Sequence, residues 1–80
     1  HLLQLAYNSV RKRVANALLR VSGDQNERIR MFREDLAAIV GTAKETLVRT
    51  LADFKSEEII DIEDGYIIVL KPEKLRAMPN

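Results

Sequence analysis

The 80-residue chain has no cysteine and no tryptophan, one histidine, three glycines and two prolines. Without cysteine, neither a disulfide framework nor a thiolate metal site can supplement a small core, and the composition fits a reducing cytoplasm, the expected location. The histidine is His1, at the chain end, and a lone imidazole is not a metal site, which needs several ligands converging at fixed spacing. Apolar runs extend only a few residues, whereas a membrane span needs roughly 18, so no membrane partner is expected. A P-loop, a dinucleotide fingerprint and a Ser/His/Asp set are all missing. The neighbouring carboxylates Glu34 and Asp35 point about 100° apart on a helix and make a poor acid/base pair. So short a chain also leaves little polymer for a cleft between two lobes. A binding module is expected, not an enzyme.

Apolar residues make up 46% of the chain and charged residues 31%, the balance of a globular domain. The net charge of +1 says little by itself, but its distribution says more. Through Ala52, nine basic residues stand against five acidic ones, a balance of +4; beyond it, four stand against seven, a balance of −3. A polyanion should therefore prefer the first part.

Leu3, Ala6, Val10, Val14, Ala17, Leu18 and Val21 recur at steps of three and four, which predicts a helix running to Ser22 and stopped by Gly23-Asp24. Asn8 and Ser9 are good N-cap residues, so a break is expected there, with a second helix from about Val10. Residues 1–8 then read as the tail of an upstream helix or hinge, and 9–80 as the domain proper. The polar stretch from Gly23 to Arg28 reads as a loop, and Ile29 to Phe32 as a short segment of unassigned type.

Leu36, Ala37 and Val40 share one face of a helix that opens at Arg33 and closes at Gly41. Thr42-Ala43-Lys44-Glu45 has the form of a capping box, and Leu47, Leu51 and Phe54 give the next helix, 43–55, a buried stripe. Two helices joined by a three-residue turn with glycine are a helix-turn-helix. Ile59, Ile60 and Ile62, then Asp64-Gly65, then Tyr66 to Leu70 predict a hairpin with strands at 59–63 and 66–70 and a type I′ turn. Pro72 ends the second strand and can open a last helical turn. The expected fold is mainly α with a small β-hairpin, a winged helix-turn-helix.

Glu45 and Arg49 lie one turn apart, facing away from Leu47, Leu51 and Phe54. Spacing alone leaves two readings open: an i,i+4 surface bridge with Glu45 capping the helix, or two groups free to enter a groove, arginine to guanine O6 and N7 and carboxylate to cytosine N4. Val48 shares that face and could meet a thymine methyl; Lys44 could reach a base or a phosphate. Arg33, Thr42 and Thr46 flank helix starts, where N–H groups favour phosphate, and Arg11, Lys12 and Arg13 could extend that footprint.

The segment FREDLAAIVGTAKETLVRTLADFKSEEII, residues 32–60, resembles the C-terminal DNA-binding domain of the Crp/Fnr family of bacterial transcription regulators. The resemblance extends back through Ser9-Val10-x-x-Arg13 and forward through the hairpin, covering about nine-tenths of the chain. It implies base reading by Glu45 and Arg49; Lys44 and Val48 beside them, and Arg33, Thr42, Thr46 and Arg11 as phosphate contacts, complete the expected site. Double-stranded DNA is then the partner. A homodimer formed through an upstream region, contact with RNA polymerase, and a cyclic nucleotide or other effector in an N-terminal domain are further implications, with no cofactor in this domain. Three departures stand out: Glu58 where the family often has glycine, Phe32 at the usual Ser/Thr cap, and an acidic hairpin tip, Glu63-Asp64, where a phosphate contact is expected. That acidic tip would suit the alternative function, a winged-helix module for protein–protein interaction.

Overall fold

A computed structural model of the chain describes residues 2–22 and 28–79, with side chains from Ala6 onward. The element order is α1 (Leu2–Ser22), α2 (Arg33–Val40), α3 (Lys44–Ser56), β1 (Ile60–Glu63), β2 (Tyr66–Val69) and α4 (Pro72–Arg76). This is the expected winged helix-turn-helix. The predicted stop at Gly23-Asp24 and most of the loop after it lie outside the described residues.

The break predicted at Asn8-Ser9 is absent, and α1 runs unbroken through both. An internal Asn or Ser costs a helix only a few tenths of a kcal/mol, up to about 0.7. Packing on either side outweighs that, because Tyr7 leans on α3 and Val10 packs against the core. Farther along, Val14, Ala15, Ala17 and Leu18 are buried against the other helices.

Helix α2 begins without a side-chain cap: Phe32 supplies extended backbone and a carbonyl for the Leu36 N–H but no side-chain acceptor, and its ring is exposed. Glu34 and Asp35 in the first turn compensate through the helix dipole. At the other end Gly41 takes φ 81°, and both its N–H and that of Thr42 donate to the Ala37 carbonyl, at 2.8 and 3.0 Å. Thr42 is thus used to close α2. The predicted capping box is not formed; Ala43 is the N-cap of α3, with no side-chain hydrogen bond. Helix α3 starts one residue later than the capping box requires, so the N-cap position falls on a residue with no side-chain acceptor.

Leu36, Ala37 and Val40 of α2 and Leu47, Leu51 and Phe54 of α3 are buried, as their spacing predicts. Thr50 joins them, its hydroxyl donating to the Thr46 carbonyl at 2.8 Å, so a polar residue enters the core satisfied. Helix α3 ends as α2 does, but on a non-glycine residue. Glu58 has φ 61°, and the Ile59 N–H reaches back to the Phe54 carbonyl at 3.0 Å. The strain expected of a side chain at this position is therefore present.

The hairpin pairs Ile60 with Val69 and Glu63 with Tyr66 across a two-residue turn, Asp64 at φ 52° and Gly65 at φ 81°. Both positive angles are what a type I′ turn requires. The unassigned segment adds a single rung on the other edge of β2: Ile29 and Ile67 exchange two backbone hydrogen bonds, of 2.8 and 3.0 Å. Leu75 and Met78, in and just after α4, close the core.

Candidate nucleic-acid interface

Burial of Leu47, Thr50, Leu51 and Phe54 fixes the rotation of α3 and turns Lys44, Glu45, Val48 and Arg49 outward. Val48 is 45% exposed, an apolar side chain held in water between charged neighbours. The surface bridge between Glu45 and Arg49 is not made: among the described residues the ion pairs are Arg11–Glu57, Arg28–Glu63 and Lys44–Glu34. Instead the Arg49 guanidinium lies over the ring of Tyr7, 5.1 Å from its centroid. The Tyr7 hydroxyl in turn donates to Asp53 Oδ2, and burial raises its pKa above the ordinary value, helped by the Asp53 hydrogen bond.

Lys44 is held by Glu34 of α2, with Nζ 2.5 Å from Oε1. That hydrogen bond lowers the Glu34 pKa and raises that of Lys44. Both groups are exposed, so the pair is weak and opens readily to a stronger anion. Arg33 sits at the first residue of α2, one N–H directed at the Met31 carbonyl at 3.4 Å. Thr42 and Thr46 flank the start of α3, both half-buried.

Arg11 does not belong with these residues. Its guanidinium makes two hydrogen bonds of 2.9 Å to the Glu57 carboxylate, covers the Phe54 ring at 5.0 Å and touches Met78 Sδ at 3.6 Å. With its side chain only 18% exposed, its donors are spent within the protein. Helical spacing in α1 could not reveal a partner 46 positions away.

Two arginines passed over in the sequence lie beside the hairpin instead. The Ile29–Ile67 rung buries Ile29, and strand alternation sends Arg28 and Arg30 to the opposite side. Their guanidiniums lie 6.0 and 5.8 Å from the Tyr66 ring, and Arg28 is 3.9 Å from Glu63. The tip that reads as acidic in sequence is thus flanked by two cations. The signal was the alternation Arg28-Ile29-Arg30, too short to mark a strand. Among the described residues no group of three or more His, Cys, Asp or Glu side chains could hold a metal, and no helix is long and apolar enough to cross a membrane.

A helix-turn-helix with an outward polar helix and a hairpin wing is the architecture of DNA-binding domains in transcription regulators. Residues 12–78 match the model of the Crp-like helix-turn-helix domain, and the chain belongs to that family. It is similar over its whole length, at 32% identity, to the nitrogen fixation regulation protein FixK of Rhizobium meliloti (strain 1021), covering 40% of that protein. The crystal structure of the Thermus thermophilus catabolite activator protein superposes with a TM-score of 0.86 at 29% identity, over 96% of this chain and 37% of that one. A transcriptional regulator of the CRP/FNR family, also from Thermus thermophilus, gives a TM-score of 0.74 at 25% identity, over 85% and 39% of the two chains. The chain thus spans about two-fifths of the length of these relatives.

Proposed function

We propose that this domain binds duplex DNA sequence-specifically, with α3 in the major groove and Arg49 and Glu45 reading adjacent G·C pairs. The observation that carries this reading is the division of α3 into a buried face, Leu47, Leu51 and Phe54, and an exposed face bearing Lys44, Glu45, Val48 and Arg49. Val48 meets a thymine methyl, and Lys44 exchanges Glu34 for a base or phosphate. Arg33, Thr42 and Thr46 hold the backbone, joined by Arg28 and Arg30 beside the wing; Arg11 is left out.

The larger protein, on this reading, is a bacterial, cytoplasmic transcription regulator that acts by binding and not by catalysis. Residues 1–8 continue a helix from an upstream region through which two copies dimerise. Helix-turn-helix dimers place their recognition helices roughly 34 Å apart, so a pseudopalindromic site is expected. An effector, a cyclic nucleotide or another small molecule, acts on that upstream region, and RNA polymerase is a further partner. The chain's two-fifths share of its relatives supports a division of labour of this kind.

Binding of the intact protein to a pool of random duplexes, followed by salt titration of the selected site, tests the proposal. Enrichment of a two-fold symmetric sequence is expected, with log K falling linearly against log salt. Failure to enrich any sequence, with folding intact, would favour a protein-interaction module.

A further inference from the structure

Arginine carries five N–H donors, all in the plane of its guanidinium, while the face of that plane is what stacks on an aromatic ring. A stacked arginine therefore keeps its donors, whereas one paired with a carboxylate spends them. Arg49 has two carboxylates within one helical turn on its own helix, Glu45 before it and Asp53 after it. It pairs with neither. Its guanidinium rests over Tyr7 of α1, and the hydroxyl of that same tyrosine occupies Asp53 Oδ2. Tyr7 thus lies alongside α3 from Arg49 to Asp53, offering a ring to the cation and a donor to the anion that would otherwise draw it toward the C-terminal end of the helix.

We propose that Tyr7 is a positioning residue for DNA recognition: its ring seats Arg49 with its donors free, and its hydroxyl keeps Asp53 from capturing them. The inference rests on the base-reading role given to Arg49 above. The specificity of α3 then depends on a side chain from α1, a helix that need not touch a base.

The test measures, in the intact protein, the preference for the selected duplex over duplexes changed at each base pair in turn. Tyr7→Leu removes the seat, and the preference at the base pair read by Arg49 should fall about tenfold while the other positions hold. Tyr7→Phe keeps the ring but frees the Asp53 carboxylate. A smaller loss of about threefold is expected, and adding Asp53→Asn to it should restore the preference. In the free protein, the ring-current shift of the Arg49 side-chain protons should persist in Tyr7→Phe and vanish in Tyr7→Leu.

Equal loss at every base pair in Tyr7→Leu, or the same loss when Arg49 is already alanine, would make Tyr7 structural only. No rescue by Asp53→Asn would overturn the role of the hydroxyl. Arg49→Ala alone reads the underlying assignment. If it leaves all base preferences intact, base reading fails and this inference with it; if it abolishes one preference that Tyr7→Leu retains, the positioning role alone is overturned.

Discussion

Where α1 meets α3, an arginine is twice set against an aromatic ring, and the two guanidiniums meet opposite fates. Arg11, over Phe54, is largely buried and spends its donors on Glu57. Arg49, over Tyr7, is exposed and has no ion pair among the described residues. Stacking is common to both, so it does not distinguish an arginine whose donors are spent from one whose donors are free. What distinguishes them is whether the rim of the guanidinium plane already has an acceptor.

That contrast predicts different consequences for the same substitution. Arg49→Ala should cost about 1–3 kcal/mol in binding to the preferred duplex, concentrated at one guanine, with little change in thermal stability. An equal loss for all sequences would make Arg49 a phosphate contact. Arg11→Ala should do the reverse: a stability loss of about 1–2 kcal/mol in denaturant unfolding, from the bidentate pair and the ring contact, with base preferences unaltered. If Arg11→Ala lowered the salt slope of binding with the fold intact, Arg11 would be restored to the footprint.

A second contrast, between the ends of α2 and α3, sharpens the first by separating stability from recognition. Both helices close through a left-handed residue, glycine in one and glutamate in the other. Glu58→Gly should therefore stabilise the domain by about 1 kcal/mol in thermal unfolding, with no effect on DNA affinity. Destabilisation would mean that the Glu58 side chain makes a contact worth more than its strain. The smallest effect is expected at the wing. Replacing Glu63 and Asp64 with Asn removes two negative charges and releases Arg28, so affinity should hold or rise slightly, and the slope of log K against log salt should steepen by about 1 at most. A clear loss, with folding intact, would show a specific contact by one of these carboxylates.

The helix-turn-helix and the hairpin were legible because their signals are local. Gly41 and Asp64-Gly65 mark positive-φ positions, and Leu47, Leu51 and Phe54 recur at helical spacing. The misreadings share a physical cause. Asn8 and Ser9 read as a cap because nothing nearby shows that Tyr7 anchors that turn to α3. Thr42 read as a cap because the sequence does not show that α3 starts only at Lys44, which puts Ala43 at the N-cap position. Of the predicted contact residues, Lys44, Glu45, Val48 and Arg49 share one exposed face, whereas Arg11 is drawn away by Glu57; Arg28 and Arg30, which the sequence did not single out, are gathered by Tyr66. Helical periodicity says which way a side chain points, but not what waits there from a distant part of the chain.

The Ile29–Ile67 rung has a kinetic consequence. Only these two residues make it, yet both helices of the helix-turn-helix lie between them, so it ties off a loop of 38 positions, from 29 to 67. Closing a loop of that length costs on the order of 3 kcal/mol in chain entropy, far more than joining the hairpin across its two-residue turn. The rung is therefore expected to form after the helices and the hairpin, locking them together. Weakening it with Ile29→Val should speed unfolding and leave the folding rate nearly unchanged; a slower folding limb would instead place the rung in the folding nucleus.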